Sequence, residues 1–170
     1  QGSVLFKKGK YKLFIALKDN KTVGRIAAGI DEQINIEKNY KEGYITLFES
    51  INEYGIAAAL LDKAIGWLRE EGMTLVKGPV SPTGGDDYRG LLVMGFDSPP
   101  MLMNSYNPDY YRDFFERYGF EKRLDLYAYK YIAENVKGAK RGKAVDYAMK
   151  RYDYRVDSVN FNDIEHEIRD

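Results

Sequence analysis

Short apolar segments separated by turn residues organise the first third of the chain. Residues 11–17 and 22–30 are rich in apolar, aromatic and β-branched side chains, and the polar residues 19–21 between them have turn chemistry. This arrangement predicts a β-hairpin. A third apolar segment, residues 44–51, follows a polar stretch and predicts another strand.

Two helices are predicted from apolar spacing and from end signals. After Gly55, apolar residues recur three and four positions apart, charged residues occupy the other side, and Gly72 supplies a stop. A second helix is predicted to begin at Asn107-Pro108, which offers a cap and a first-turn proline. It carries a run of aromatic residues and ends at Gly119.

The order of the elements indicates the fold class. Further short strands are predicted over residues 73–76, after the first helix, and over 123–131, after the second. The order is then strand, strand, strand, helix, strand, long loop, helix, strand. This order predicts an α/β domain with a mixed sheet.

The long irregular stretch at residues 80–107 is of a length that is usually functional or disordered. Its adjacent acids, Asp86 and Asp87, indicate a metal only weakly, because no second group of ligands is visible. We therefore expect no metal site and favour a lid or specificity loop. Its apolar side chains could line a pocket or anchor the loop to the core, and anchoring is favoured for Met94, Met101, Leu102 and Met103.

Composition excludes several classes of function. Lys and Arg number 26, as do Asp and Glu, so no overall positive charge favours nucleic acid. The lack of cysteine excludes disulfides and cysteine nucleophiles and favours a cytoplasmic location. Because His166 is the single histidine, neither a histidine metal cluster nor a Ser/His/Asp triad is expected. No apolar run approaches the roughly 20 residues that span a bilayer, so no membrane partner is expected.

The segment NEYGIAAALL, residues 52–61, lies where the third predicted strand turns into the first helix. Free N–H groups and the dipole at a helix start favour phosphate oxygens, and Gly55 lets a ligand approach the backbone. The same segment is equally consistent with a helix start whose alanines pack closely against the sheet. The pattern alone leaves both interpretations open.

Two segments resemble motifs of the GCN5-related N-acetyltransferase (GNAT) superfamily. Asn52, Gly55 and Ala57 fall on the marked positions of its pyrophosphate-binding motif, QxxGxA or RxxGxG. Residues 115–120, FERYGF, resemble the YEKxGF sequence that closes its last major helix. The resemblance covers about residues 4 to 131, and GRIAA, VKGP, GFDSPPM and YNPDYY are similar to an uncharacterised bacterial branch.

The resemblance implies a mixed, mostly antiparallel sheet flanked by helices, and transfer of an acyl group, in most members acetyl, from acyl-coenzyme A to an amine. The acceptor would be a small-molecule or peptide amine. A non-catalytic acyl-coenzyme A binding or interaction module is the alternative. The residues expected to bind acetyl-coenzyme A or coenzyme A are Phe48, Ser50, Asn52, Glu53, Tyr54, Gly55, Ile56, Ala57 and Asn107.

The resemblance also implies catalytic groups, with departures from the family pattern. The backbone of residues 53–57 would form the pyrophosphate cradle. Glu49, on the strand before this cradle, is the candidate general base, and the alternative is an ordinary solvated carboxylate. Phe115 stands where the family has its proton-donating tyrosine. Tyr111, one helical turn earlier, and Tyr118 are the substitute candidates, and packing of the helix against the sheet is the alternative for both. Asn52 lacks the reach of glutamine and the charge of arginine.

The ends of the chain also differ from the family, which normally begins with a strand and two helices. We therefore expect a fragment of a longer protein, with an acyltransferase-like core over residues 4–131 and a basic helical connector over 132–152. A solvated connector is favoured over a nucleic-acid contact. Residues 153–170 predict a strand and a helix, with Asn162 and Glu165 in capping-box spacing. That strand could dock on an exposed sheet edge of its own chain or of a neighbour, which would make a homodimer.

Overall fold

The structure is a computed structural model that describes residues 9–80, 90–102, 104–130, 132, 143–153 and 158–167. By its internal contacts the chain divides into two compact units, Gln1–Leu126 and Tyr127–Asp170. Among the helices of the described residues, none has the length and apolar character needed to cross a bilayer.

The first unit contains a sheet of four strands in the order β1, β2, β3, β4. Its strands are β1 (Gly9–Lys18), β2 (Lys21–Asp31), β3 (Glu42–Ser50) and β4 (Leu75–Lys77). β2 is antiparallel to both β1 and β3, whereas β4 is parallel to β3. The prediction of an α/β fold with a mixed, mostly antiparallel sheet flanked by helices is confirmed.

The predicted hairpin is formed by β1 and β2. Asp19 and Asn20, which connect the two strands, both have positive φ angles, 51° and 59°. Two consecutive residues of this kind are typical of the type I′ turn, whose twist matches that of the flanking strands. Asp and Asn tolerate this conformation better than most residues, so the local sequence accounts for the hairpin.

The helix α1 (Glu32–Lys38) was not predicted. It buries no residue, so it has no apolar stripe for a sequence pattern to reveal. Its ends explain its presence instead. The Asp31 carboxylate accepts a hydrogen bond from the Ile34 N–H at 3.0 Å, and Asn39 closes the helix in the left-handed conformation.

The helix α2 (Tyr54–Glu70) packs on one face of the sheet, as its spacing predicted. Leu60 lies over Gly24 of β2, and Leu68 lies over Gly43 of β3. A Cβ atom at Gly24 would lie 2.8 Å from the Leu60 side chain and 2.9 Å from the Glu49 carbonyl oxygen. The core forms in this layer, and the residues that α2 buries are Ala57, Leu60, Leu61, Ala64 and Leu68.

The helix α3 (Tyr111–Tyr118) begins later than predicted. Its end at Gly119, in the left-handed conformation with φ 106°, is confirmed. The prediction that Asn107-Pro108 starts the helix is wrong, because the Asn107 side chain binds a distant loop instead of capping the first turn. Tyr111, Phe114 and Phe115 of α3 are buried.

The predicted strand over residues 123–131 is also wrong for its described part, 123–130, which is irregular. Leu124 and Leu126 are 58% and 63% exposed, and Tyr129 is 86% exposed. Alternation predicts a strand only where one face is buried against a neighbour, and here neither face is.

The second unit contains two further α-helices, α4 (Lys143–Tyr152) and α5 (Ile164–Glu167), and a 3-10 turn at Phe161–Asp163 that leads into α5. The helix α4 lies in the C-terminal part of the predicted connector, whose role as a connector stays a prediction, and residues 133–142 lie outside the described residues. In the strand predicted at 154–160, the described residues 158–160 are not in the sheet, and the others lie outside the description. Asn160, not Asn162, caps the turn, since its side chain accepts from the Asn162 N–H at 3.1 Å.

Candidate functional site

β3 extends well beyond the short strand β4 that runs parallel to it. β4 pairs with β3 only from Glu42 to Tyr44, and one further hydrogen bond joins Val80 N–H to the Ile45 carbonyl at 3.0 Å. β3 continues to Ser50, so its second half is not paired with β4. The backbone groups of Ser50, at the end of the strand, are buried and bound by the hydroxyls of Tyr110 and Tyr111.

The start of α2 lies directly after this strand. Glu53 is the N-cap residue, but its side chain makes no capping hydrogen bond. Its carboxylate instead binds Lys18 Nζ at 2.8 Å and 2.9 Å. The positive end of the helix dipole is thus not covered by the cap residue's own carboxylate.

Gly55, in the first turn of α2, has no structural need to be glycine. A Cβ atom there would meet nothing within 4 Å, and the residue does not have a positive φ. Glycine in a helix costs about 0.5–1 kcal/mol relative to alanine. The absent side chain leaves open space in front of the backbone at the start of α2.

Two cations flank this helix start. Lys18 is held by Glu53, and the Arg117 guanidinium lies over the Tyr54 ring at 3.9 Å from its centroid. Arg117 also approaches Asp113 at 3.5 Å. Because these groups are exposed, each cation could exchange its carboxylate for an anionic ligand at little cost.

The remaining predicted cradle residues divide between core and surface. Phe48 and Ala57 are buried in the core, 8% and 0% exposed. Tyr54 and Ile56 are half-buried, whereas Asn52, Glu53 and Gly55 are exposed. The exposed residues of this segment are therefore Asn52, Glu53 and Gly55, whereas the side chains of Phe48 and Ala57 belong to the core.

Glu49 lies on the face of the sheet opposite α2. Its neighbour Ser50 pairs with Gly24, which packs under α2, and strand alternation turns Glu49 the other way. Glu49 Oε1 binds Arg25 Nη2 at 2.7 Å, and its side chain is 62% exposed. The carboxylate is accessible to an acceptor, as a base would need to be, and it already has a cationic partner.

Tyr111 and Tyr118 are directed to different places, although both belong to α3. Tyr111 Oη accepts from the Ser50 N–H at 2.9 Å, and burial raises the pKa of the Tyr111 phenol. Tyr118 Oη donates to Asp62 Oδ1 of α2 at 2.6 Å, and burial followed by this hydrogen bond raises the pKa of Tyr118. Both phenols therefore retain their protons strongly.

Phe115, at the family's tyrosine position, is a core residue here. It is 4% exposed and packs edge-on against Phe48, with ring centroids 5.0 Å apart. It offers neither a proton nor a polar contact.

Asn107, a predicted coenzyme-binding residue, is buried and its side chain is occupied. Its Oδ1 accepts from the Leu92 N–H at 2.7 Å, and its Nδ2 donates to the carbonyls of Leu92 at 3.3 Å and Pro108 at 2.7 Å. The Asn107 side chain thus binds both the N–H and the carbonyl of Leu92, as a neighbouring strand would, and holds this part of the long loop. No local pattern distinguishes this role from helix capping, because its partner lies 15 residues upstream.

The long loop is not anchored by its methionines. Met94, Met101 and Leu102 are 75%, 62% and 88% exposed, so the prediction that they anchor it is wrong. Leu91, packed against the core, and Asn107 hold this segment. Met103, Asp86 and Asp87 lie outside the described residues. Among the residues that are described, no group of three or more His, Cys, Asp or Glu side chains could hold a metal ion.

Comparison with known proteins finds two curated relatives. The chain is 32% identical over 126 residues to a bacterial ceramide synthase from Caulobacter vibrioides, an alignment that covers 74% of this chain and 33% of that protein. It is 31% identical over 119 residues to Protein YghO of Escherichia coli, covering 70% of this chain and 30% of that protein. The chain therefore spans about a third of the length of these relatives.

No family model matches the chain. Among solved structures, it is similar to a putative acetyl transferase from Pyrococcus furiosus, with 22% identity, a TM-score of 0.45 and coverage of 75% of this chain and 70% of that one. It is also similar to an aminoglycoside acetyltransferase from an uncultured soil metagenomic sample, solved with sisomicin, with 18% identity, a TM-score of 0.43 and coverage of 72% and 66%.

Proposed function

We propose that this chain is the acyl-coenzyme A binding part of a GNAT-like N-acyltransferase. The observation that carries the proposal is the open start of α2 at Gly55, close after the end of β3. A glycine that no packing requires, at the positive end of a 17-residue helix, leaves room for phosphate oxygens to reach backbone N–H groups.

The pyrophosphate of coenzyme A would lie against the backbone from Glu53 to Ala57. The N–H groups of Tyr54 and Gly55 would be its donors, because those of Glu53, Ile56 and Ala57 already donate to the carbonyls of Ile51 and Glu53. Lys18 and Arg117 stand beside this segment and would supply countercharge, because a phosphate is a stronger ionic partner than the exposed carboxylates they now contact. When bound, acyl-coenzyme A supplies an activated acyl thioester. The chain's own contribution is to hold that thioester beside β3.

Glu49 is the proposed base. In acyl transfer to an amine, a C–N bond forms, the C–S bond breaks, and the nitrogen loses two protons. The first must leave the ammonium before the nitrogen attacks, and the loss of the second as the intermediate collapses is balanced by the proton that the leaving thiolate takes up. The exposed Glu49 carboxylate can take the first proton when its hydrogen bond to Arg25 yields. The thiolate would be protonated by solvent or by a group outside the described residues.

The acceptor proposed is an amine that carries a long hydrocarbon chain. One relative is named a ceramide synthase, and a ceramide is the amide of a long-chain amino alcohol. On β1, Leu13, Ile15 and Leu17 point away from α2 and are 60%, 63% and 59% exposed. The sheet register places Ile15 in one row with Arg25 and Glu49, so an apolar row begins beside the proposed base.

The proposal is tested by binding and turnover. Calorimetry with acetyl-coenzyme A and with a long-chain acyl-coenzyme A should detect binding of at least one, and failure of both to bind would refute the proposal. Thiol release is then measured with two acceptors that share a 2-amino-1,3-diol head group and differ only in chain length.

Glu49→Gln should lower the rate of thiol release at least tenfold and leave coenzyme A affinity unchanged. If the chain binds acyl-coenzyme A but releases no thiol with any acceptor, the result would favour the alternative, a non-catalytic acyl-coenzyme A binding module. Preference for the short acceptor would refute the long-chain assignment alone.

A further inference from the structure

Both backbone polar groups of Ser50, the last residue of β3, are bound by side chains of another element. The Ser50 N–H donates to Tyr111 Oη at 2.9 Å. The Ser50 carbonyl accepts from Tyr110 Oη at 3.0 Å and lies 3.4 Å from Tyr111 Oη. We call the two tyrosine hydroxyls and their bonds to this residue the Ser50 clamp.

The Ser50 clamp stands where a strand partner would otherwise be. Ile51 N–H donates to the Val23 carbonyl of the preceding strand pair at 3.0 Å, and backbone groups alternate in direction along a strand. The groups of Ser50 therefore point away from β2, toward the side on which β4 lies. β4 does not pair with β3 at this point, since the pairing ends at Tyr44.

Because Ser50 is buried, its backbone groups need these hydroxyls in place of a strand partner. Ser50 is 7% exposed and Tyr111 is 5% exposed, so water does not replace a missing partner there. A buried N–H or carbonyl without a partner is strongly disfavoured. Without the two hydroxyls, the end of β3 would have to move toward β4 or toward solvent.

We propose that Tyr110 and Tyr111 are positioning residues that hold the end of β3 in place of a strand partner. The Ser50 clamp fixes the end of β3, and only three residues separate Ser50 from the first residue of α2 at Tyr54. The position of the proposed pyrophosphate cradle thus depends on two hydroxyls from a helix 60 residues further along the chain. The ligand part of this inference rests on the proposed function, but the clamp itself does not.

Two other roles for Tyr111 fit the geometry less well. As a proton donor to a thiolate, Tyr111 would have to turn its O–H away from the Ser50 carbonyl, 3.4 Å away, although the residue is only 5% exposed. As a packing residue, it would need only its ring, which contacts Phe48 edge-on at 4.9 Å between centroids. A phenylalanine would keep that packing and lose only the clamp.

The test is amide hydrogen exchange in the whole chain, followed residue by residue by NMR, in Tyr111→Phe, Tyr110→Phe and the double variant. Tyr111→Phe should speed exchange at Ser50 at least tenfold, while the amide of the fully buried Ala28 in β2 changes less than twofold. Tyr118→Phe is the matched control, because it removes a hydroxyl bond from the same helix without touching Ser50.

Unchanged exchange at Ser50 in Tyr111→Phe, or an equal increase at Ser50 and Ala28, would overturn the proposal. If Tyr111→Phe does not fold, Tyr110→Phe decides, since it leaves the Ser50 N–H bond in place and removes only the 3.0 Å bond to the carbonyl. Exchange at residues 50–52 should then rise at least threefold, and no rise would overturn the clamp.

Coenzyme A affinity separates this inference from the proposed function. In the double variant, the dissociation constant for coenzyme A should rise at least threefold with the chain still folded. If the unaltered chain binds no coenzyme A, the proposed function fails, and the exchange rates alone decide whether the clamp exists.

Discussion

Replacing Gly55 tests whether the start of α2 is a ligand site or only a helix beginning. In a Gly55→Val variant, the new side chain projects into space where nothing lies within 4 Å, so it creates no clash within the protein. Valine forms helix better than glycine by a few tenths of a kcal/mol. The free energy of unfolding should therefore stay the same or rise by about 0.5 kcal/mol.

The effect on binding should have the opposite sign. A branched side chain at Gly55 occupies the space in which phosphate oxygens would approach the backbone of residues 53–57. A hydrogen bond to a charged group contributes about 1.5–3 kcal/mol, so loss of even one phosphate contact should weaken coenzyme A binding at least tenfold, which is about 1.4 kcal/mol.

Gly66 provides the matched control, because it belongs to the same helix and a Cβ atom there also meets nothing within 4 Å. Gly66→Val should change stability in the same direction as Gly55→Val and leave coenzyme A affinity within twofold. Thermal unfolding and calorimetry on the three proteins measure both quantities. If the Gly55 variant is folded and binds coenzyme A as tightly as the Gly66 variant, the pyrophosphate site is refuted.

Three further variants test how the site is supported. Gly78→Ala should destabilise the chain by about 1–3 kcal/mol, because its Cβ would clash with the Ile45 side chain and lie 2.9 Å from the Ile45 carbonyl; chemical denaturation with an unchanged midpoint would contradict this. Asn107→Ala should cost about 2–3 kcal/mol and increase proteolysis of the long loop, because three hydrogen bonds are lost; equal proteolysis would refute the fastening role. Tyr118→Phe should flatten the pH dependence of stability above pH 10. The raised pKa means that the folded state keeps a proton which the unfolded chain loses, so stability falls as pH rises through that range; equal slopes for both proteins would exclude the Tyr118–Asp62 bond as the cause.

Glu49 and the tyrosines show where sequence reasoning about the site reached its limit. The strand that carries Glu49 and the helix start beside it were predicted from apolar runs and end signals. Arg25, the partner of Glu49, lies 24 residues earlier and is brought beside it by the pairing of β3 with β2. The positions of candidate residues were therefore predictable, whereas their hydrogen-bond partners were not.

The elements that the sequence determined by itself are those whose causes are local. The hairpin follows from two residues that accept positive φ, α2 from apolar residues at helical spacing, and the end of α3 from Gly119. Each depends on neighbours within a few positions, so a single sequence carries the information.

Tertiary structure alone decided the features whose partners are distant along the chain. Residues 123–130 alternate like a strand but lack a neighbour to bury one face, and Asn107 resembles a helix cap but binds Leu92. The sequence does not distinguish whether Tyr111 is a proton donor, a packing residue or part of the Ser50 clamp. The bond between its hydroxyl and Ser50, 61 residues away, favours the clamp. Hydrogen bonds between elements depend on how sheets and helices pack, and this packing brings together groups whose spacing in the sequence shows no pattern.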